Sequence, residues 1–265
     1  LAAIMLAAKD LAAHPAAGDV IVTAVVDEEY ASIGTAAIVE RYTADGAIVT
    51  EPTQLELSVA HKGFIWFDIM TKGVAAHGSQ PSLGVDAIAK MGKVLVRLEK
   101  LESRLLEGDK HPLLGTGSVH ASLIQGGTEL SSYPASCTLS IERRLIPGET
   151  PESAEKELCD ILNAAANADP DFEATLERGL YRSPFEQPLE SDIVPIVRDA
   201  ATSVIGSAPE FAGEAGWMDS ALLAAAGIPT VIFGPDGAGA HADIEWVDLV
   251  SLEQCRPAIL SVIRS

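Results

Sequence analysis

Apolar residues fall into two textures along this chain. Leu1 to about His14 is rich in Ala and Leu with no interior Gly or Pro, which predicts a buried helix, and Pro15 and Gly18 end it. Asp19 to Val26 (DVIVTAVV) is a β-branched run of the kind that forms a strand buried on both faces, and it leads straight into Asp27, Glu28 and Glu29. Ala47 to Thr50 repeats the pattern, a short apolar strand delivering Glu51 and then Pro52. Acids are therefore expected at the C-terminal ends of strands, the edge where open α/β sheets bind ligands.

From about Lys62 to Tyr181 the alternation changes. Phe64 to Thr71 reads as a strand, Val85 to Leu101 as an amphipathic helix, and Ser118 to Gln125 and Cys137 to Arg144 as two strands separated by the turn-rich GGTELSSYP. Thr150 to Ala168 reads as a helix with Thr150 as N-cap and Pro151 at its first position, and Phe172 to Gly179 as a last strand. Strand, helix, strand, strand, helix, strand is the split βαβ order of a ferredoxin-like domain, and it reads as an insertion. After about Ser183 the first texture returns: helices at Ile193 to Ile205 and around Ser220 to Ala226, a strand at Thr230 to Phe233, a Gly-rich loop, and a closing helix from Leu249 to Arg264 interrupted near Pro257. The expectation is one α/β layer domain from residues 1–61 and 183–265, a mixed sheet between helices, around an inserted α+β domain at 62–182.

Composition narrows the partners. A content of 48% hydrophobic residues supports real cores, and 18 basic against 38 acidic residues give a net charge of -20, which opposes nucleic acid and anionic membrane surfaces. No apolar run approaches the ~20 residues that span a bilayer. Three scattered cysteines, Cys137, Cys159 and Cys255, form neither a disulfide framework nor a Cys-x-x-Cys metal pair, so a reducing cytoplasm is expected. The opening LAAIMLAA lacks the anatomy of a signal peptide and reads as the middle of a helix whose protein starts further upstream.

The candidate chemistry is scattered. Glu28 and Glu29 are neighbours, so on an extended segment their side chains point to opposite sides, although DEEY also reads as a plain polar turn. Glu51-Pro52-Thr53 and His241, in the loop GPDGAGAHADIEWV, are ordinary when taken singly. Their convergence is what matters: two carboxylates and one imidazole, each expected after a separate buried strand, are the oxygen and nitrogen ligands that zinc takes at about 2.0–2.2 Å. That reading requires His241 to lie within roughly 10 Å of Glu29.

Five stretches, VDEEYAS, TEPTQLELSVAHKGF, AAHGSQPSLGVDAI, IERRLIPGE and GWMDSALLAAAGIPTVIFGPDGAGAHADIEWV, together resemble the co-catalytic zinc deacylases and exopeptidases that include acetylornithine deacetylase, succinyl-diaminopimelate desuccinylase, aminoacylase and carboxypeptidase G. They occur in the family's order and span nearly the whole chain. The resemblance implies a catalytic domain holding two zinc ions, with cobalt or manganese as alternatives, and an inserted lid that forms a homodimer. It implies Glu28 as general base, Glu29 and His241 as ligands of one zinc, and Glu51 as a ligand of the other. It further implies His77 as a donor to the oxyanion in the partner subunit's site, and Arg144 as the grip on the substrate's carboxylate; an interstrand salt bridge is the competing role for Arg144.

Two departures stand out. The family's His-x-Asp and Asp-x-Lys-Gly-Gly motifs would precede LAAIMLAA, so neither zinc keeps more than two ligands here; and Ser131 stands where many members carry Asn near the substrate. His14, His61, His111 and His120 match no functional position. The expected activity is metal-dependent hydrolysis of the amide of an N-acyl amino acid. The alternatives are a di- or carboxypeptidase, or a truncated non-catalytic dimerisation module.

Overall fold

The computed structural model describes residues 1–265. Its two units are Leu1–His61 with Phe185–Ser265, and Lys62–Pro184, so the second boundary falls at Pro184 rather than at 182. In chain order the first unit opens with α1 (Ala2–Ala13), α2 (Ile33–Val39), β1 (Ala47–Val49) and β2 (Leu57–His61). The second unit is β3 (Gly63–Lys72), α3 (Ala87–Glu107), β4 (Ser118–Gly126), β5 (Ser136–Leu145), α4 (Pro151–Ala168) and β6 (Glu173–Arg182). The first then resumes with β7 (Phe185–Glu186), α5 (Ile193–Ile205), β8 (Phe211–Glu214), α6 (Ser220–Ala225), β9 (Thr230–Ile232), β10 (Gly237–Ala238), β11 (Trp246–Val247) and α7 (Leu249–Arg264).

The second unit is an antiparallel sheet in the order β4-β5-β3-β6, the ferredoxin-like arrangement, with α3 and α4 on one face. Strand alternation decides that face: Ile65, Phe67 and Ile69 of β3 and Leu139, Ile141 and Leu145 of β5 are buried against Met91, Val94 and Leu98 of α3 and Leu158 and Ile161 of α4. Both helices are capped as their sequences suggest. Asp86 accepts from the Ala89 amide at 2.9 Å, and Thr150 and Ser153 form a reciprocal capping box ahead of Pro151. Asp169, just past α4, ties the two helices by accepting from Lys90 at 2.6 Å and Lys93 at 2.5 Å.

The first unit is a mixed five-stranded sheet: β9 runs parallel to β1 and antiparallel to β2, and β2 also pairs with β7 and β8. Helices cover both faces. Val231 and Phe233 pack with α1, α5 and α7, whereas the intervening Ile232 packs with Phe185 and Ala221 on the other side. The strand β2 is buried along its whole length.

Three expectations need correction. Asp19–Val26 forms no strand, and Val20, Ile21, Val22 and Val26 are exposed. A β-branched run becomes a strand only where a neighbour pairs with it, and this one has none. Second, α7 runs unbroken through Pro257. An interior proline costs about 3 kcal/mol, but burial of Cys255, Ala258, Ile259 and Leu260 stabilises the helix by more, since large apolar side chains contribute about 1.5–3 kcal/mol each. Third, α1 is buried only along Ala3 and Ala7, with Leu1, Met5 and Leu6 exposed.

Candidate active site

Glu28 and Glu29 sit in a tight turn rather than at a strand end. Asp27 adopts a left-handed conformation (φ 67°), and its carbonyl accepts from the amides of Tyr30, Ala31 and Ser32. The turn is locked to the start of α2, where the Gly34 amide donates to the Val26 carbonyl at 3.2 Å. A β-carbon on Gly34 would sit 2.6 Å from the Val26 nitrogen, so only glycine admits this approach. Ser32, fully buried, donates to the Glu28 carbonyl at 3.3 Å.

Glu51 follows β1 as expected, and the turn just after it is gripped by the segment that follows β9. The Thr53 hydroxyl accepts from the Gly234 amide at 3.0 Å, and Leu55 and Gln54 donate to the carbonyls of Gly234 and Pro235. A β-carbon on Gly234 would land on the Glu51 carbonyl oxygen. His241 lies just beyond β10, itself left-handed at φ 62°, and its Nε2 is 3.6 Å from Glu29 Oε2. Both side chains are about three-quarters exposed (76% and 77%), so in water alone this pair holds weakly.

Sequence reasoning missed Asp219, next to α6 in GWMDSALL. It is buried, its Oδ2 accepts from Thr35 of α2 at 2.5 Å, and its Oδ1 has no hydrogen-bond partner. An acid ahead of an apolar helix reads as an N-cap, yet Asp219 makes no cap bond to α6. The sequence therefore carries no signal that separates Asp219 from an ordinary cap.

Burial and neighbouring charge act on these carboxyls together. Partial burial, then the charges of Glu51, Asp219 and Glu29, push the Glu28 carboxyl up to about 7, with His241 opposing. Glu51 is raised as well, by burial first and then by Asp219 and Glu29. Crowded carboxylates of this kind call for a proton or a cation. Ligands at ~2 Å from a tetrahedral zinc lie about 3.3 Å apart, so Glu29 and His241 fit one shared ion. No cluster of three or more His, Cys, Asp or Glu side chains is arranged to hold a metal, so the fit is to part of a centre.

The other two candidates belong to the second unit. His77 lies in the β3–α3 connection, where Nδ1 contacts Ser79 Oγ at 2.8 Å and Gly78 donates to the Ser131 carbonyl at 2.6 Å. Arg144 of β5 pairs with Glu142 of its own strand, Nε to Oε1 at 2.6 Å, so the salt bridge is within one strand rather than between strands. Among the remaining histidines, His61 is buried between the rings of Phe185 and Trp217, and His111 accepts from the amides of Leu113 and Leu114.

Residues 59–170 match the family model of a peptidase dimerisation domain. Over 92% of its length the chain is 31% identical to acetylornithine deacetylase of Myxococcus xanthus, of which it spans 63%. It is 28% identical to an N-formyl-4-amino-5-aminomethyl-2-methylpyrimidine deformylase of Halalkalibacterium halodurans, covering 99% of this chain and 68% of that protein. In structure it is similar to an aminopeptidase PepT from Bacillus cereus, with a TM-score of 0.76 at 21% identity over 91% of this chain and 62% of that one.

Proposed function

This chain belongs to the amidohydrolase and exopeptidase family that includes acetylornithine deacetylase, and from that premise we propose that its whole protein is a metal-dependent hydrolase of N-acyl amino acids. The observation that carries the proposal is the approach of His241, from the far end of the chain, to 3.6 Å from Glu29, beside a Glu28 carboxyl poised at about 7.

Glu29 and His241 are the ligands of one zinc ion and Glu51 of a second, with cobalt or manganese as alternatives. A bound ion supplies Lewis-acid polarisation of the scissile carbonyl. Glu28 is the general base: it takes a proton from the attacking water and passes it to the leaving amine, for which a pKa near neutrality is suited. Arg144 holds the free carboxylate through its planar fork. His77 donates to the developing oxyanion in the partner's site of a homodimer formed through the dimerisation domain.

A panel of N-acetyl, N-formyl and N-succinyl amino acids, with di- and tripeptides alongside, tests the reading in the whole protein. Chelator-sensitive release of the amino acid from the acyl substrates is expected. Turnover of peptides alone would move the assignment to exopeptidase. No turnover on any member, with the metal present, would favour the non-catalytic module.

A further inference from the structure

On the sheet face opposite α3 and α4, strand register alone assembles a block of four side chains. Phe64 of β3 lies across from Arg144 of β5, and Trp66 lies across from Glu142. Residues 142 and 144 share this face because their neighbours Ile141, Arg143 and Leu145 turn inward. The Arg144 guanidinium sits 5.4 Å from the Phe64 ring centroid, and the Phe64 and Trp66 rings lie 5.2 Å apart at 36°. Glu142 joins the four: Oε1 accepts from Arg144 Nε at 2.6 Å and Oε2 accepts from Trp66 Nε1 at 3.1 Å.

The point of attachment is informative. A guanidinium offers a carboxylate two bidentate edges, side-on through Nε and one terminal nitrogen, or end-on through both terminal nitrogens. Glu142 bonds Nε and so closes the side-on edge, while both terminal nitrogens of Arg144 bond nothing in the chain. An unsupported surface pair would exchange among geometries and be screened. This one is only 14% exposed at Glu142 and 29% at Arg144, and the indole N–H anchors the acid's second oxygen.

We propose that Glu142, held by Trp66, is a positioning residue that presents the end-on fork of Arg144 to the substrate's carboxylate, with the Phe64 ring as the floor beneath the guanidinium. This rests on the reading of Arg144 as the carboxylate-binding residue. The ligand class selected is a substrate ending in a free carboxylate, which fills both terminal nitrogens, over its carboxamide, which offers a single acceptor oxygen. The competing account makes Glu142 an internal carboxylate that occupies Arg144 and must be displaced. The two accounts predict opposite signs.

The test measures kcat and KM of the whole protein for an N-acyl amino acid and for its carboxamide, with calorimetric titration of the amino acid product giving the same comparison without turnover. Glu142→Gln should raise KM, or the product's Kd, about tenfold for the acid, with kcat and the carboxamide within about twofold of wild type. An unchanged or lowered KM and Kd for the acid overturns the proposal, and lowering supports occlusion. Trp66→Phe, which releases the acid's second oxygen, should shift the same way by a few fold; it replaces Glu142→Gln as the deciding variant if the latter melts markedly lower. Arg144→Lys separates the two layers of inference. If it leaves the preference for acid over carboxamide intact, the reading of Arg144 fails; if it abolishes the preference and the Glu142 and Trp66 variants do not shift KM, the positioning role alone fails.

Discussion

Arg143→Met removes the buried cation that pairs with Glu149 and Glu157 in the second unit, and the structure sets the size of the loss. Arg143 is 2% exposed, and its Nε donates to Glu157 Oε2 at 3.1 Å, while its terminal nitrogens bond both oxygens of Glu149 and the Arg144 carbonyl. Glu149 also accepts from the Ile146 amide at 2.8 Å, so the cluster fixes the turn that leads from β5 into α4. Breaking a buried ion pair by removing one partner costs about 3–5 kcal/mol. The side chains of Glu149 and Glu157 are 25% and 28% exposed, so both can rehydrate in part, which places the loss at the lower end, ~3 kcal/mol. For a unit of roughly 120 residues, at about 2.1 cal/mol/K of unfolding entropy per residue, that is a fall in Tm of about 12 °C. Scanning calorimetry at pH 7 reads it directly. A fall below about 4 °C would mean the cluster behaves as a surface pair worth ~1 kcal/mol, and the reasoning from burial would be wrong. Neutralising the stranded acids as well, in Arg143→Met/Glu149→Gln/Glu157→Gln, should recover at least half of the loss; no recovery would assign the loss to packing rather than charge.

Gly234→Ala should cost more than about 2 kcal/mol and, in the whole protein, abolish the proposed hydrolysis, because the new methyl meets the backbone of Glu51, which cannot yield as a side chain can; a normal melting curve and an activity equal to that of the unmutated protein would contradict it. Glu28, raised from 4.5 to about 7, favours its protonated form in the folded protein, so its contribution is present below about 4.5 and is lost as pH rises through about 7. Glu28→Gln should therefore be neutral at pH 4 and stabilise the metal-free protein at pH 8 by ~1 kcal/mol, the full shift being reduced by solvent screening; destabilisation at pH 8 would reverse the sign. Lys90 and Lys93 hold the Asp169 carboxyl well below the usual carboxylate range. Asp169→Asn should lower Tm at pH 7, with the difference shrinking only as pH falls well below ~3.9, the ordinary Asp value; a difference independent of pH would exclude the ion pairs as its cause. In the whole protein Glu28→Ala should stop turnover with metal content nearly intact, whereas His241→Ala should lower both, as metal analysis beside the assay would show.

The second unit was legible because its signals are local. Thr150-Pro151 announces the start of α4, and the apolar Ile141 and Leu145 of IERRL mark the inward face of β5. In the first unit the informative contacts are distant. The five-residue β2 carries Ser58 and His61 inside a fully buried strand and is defined by partners at Phe185, Phe211 and Ile232. The two-residue strands β7, β10 and β11 exist only through pairing, and no period can be read from two positions. The failure at Asp19–Val26 is the same fact seen from the other side: strong β propensity without a paired neighbour leaves exposed coil.

The candidate site divides in the same way. Glu28, Glu29, Glu51 and His241 could be named from motifs, but motifs do not give the burial and neighbouring charges that raise Glu28 and Glu51, and one of those charges sits on a residue no motif singled out. Asp219 reads locally as a helix cap, yet its carboxyl leaves α6 and binds Thr35, anchoring α2 directly behind the turn that displays Glu28. Its charge is among the causes that lift both Glu28 and Glu51, and its second oxygen is left without a partner in a buried place. Such a group costs about 1–3 kcal/mol unless something compensates it. An uncompensated polar group of this kind is found most readily where function requires it, so the buried Asp219 joins Glu28, Glu29, Glu51 and His241 as a candidate member of the site.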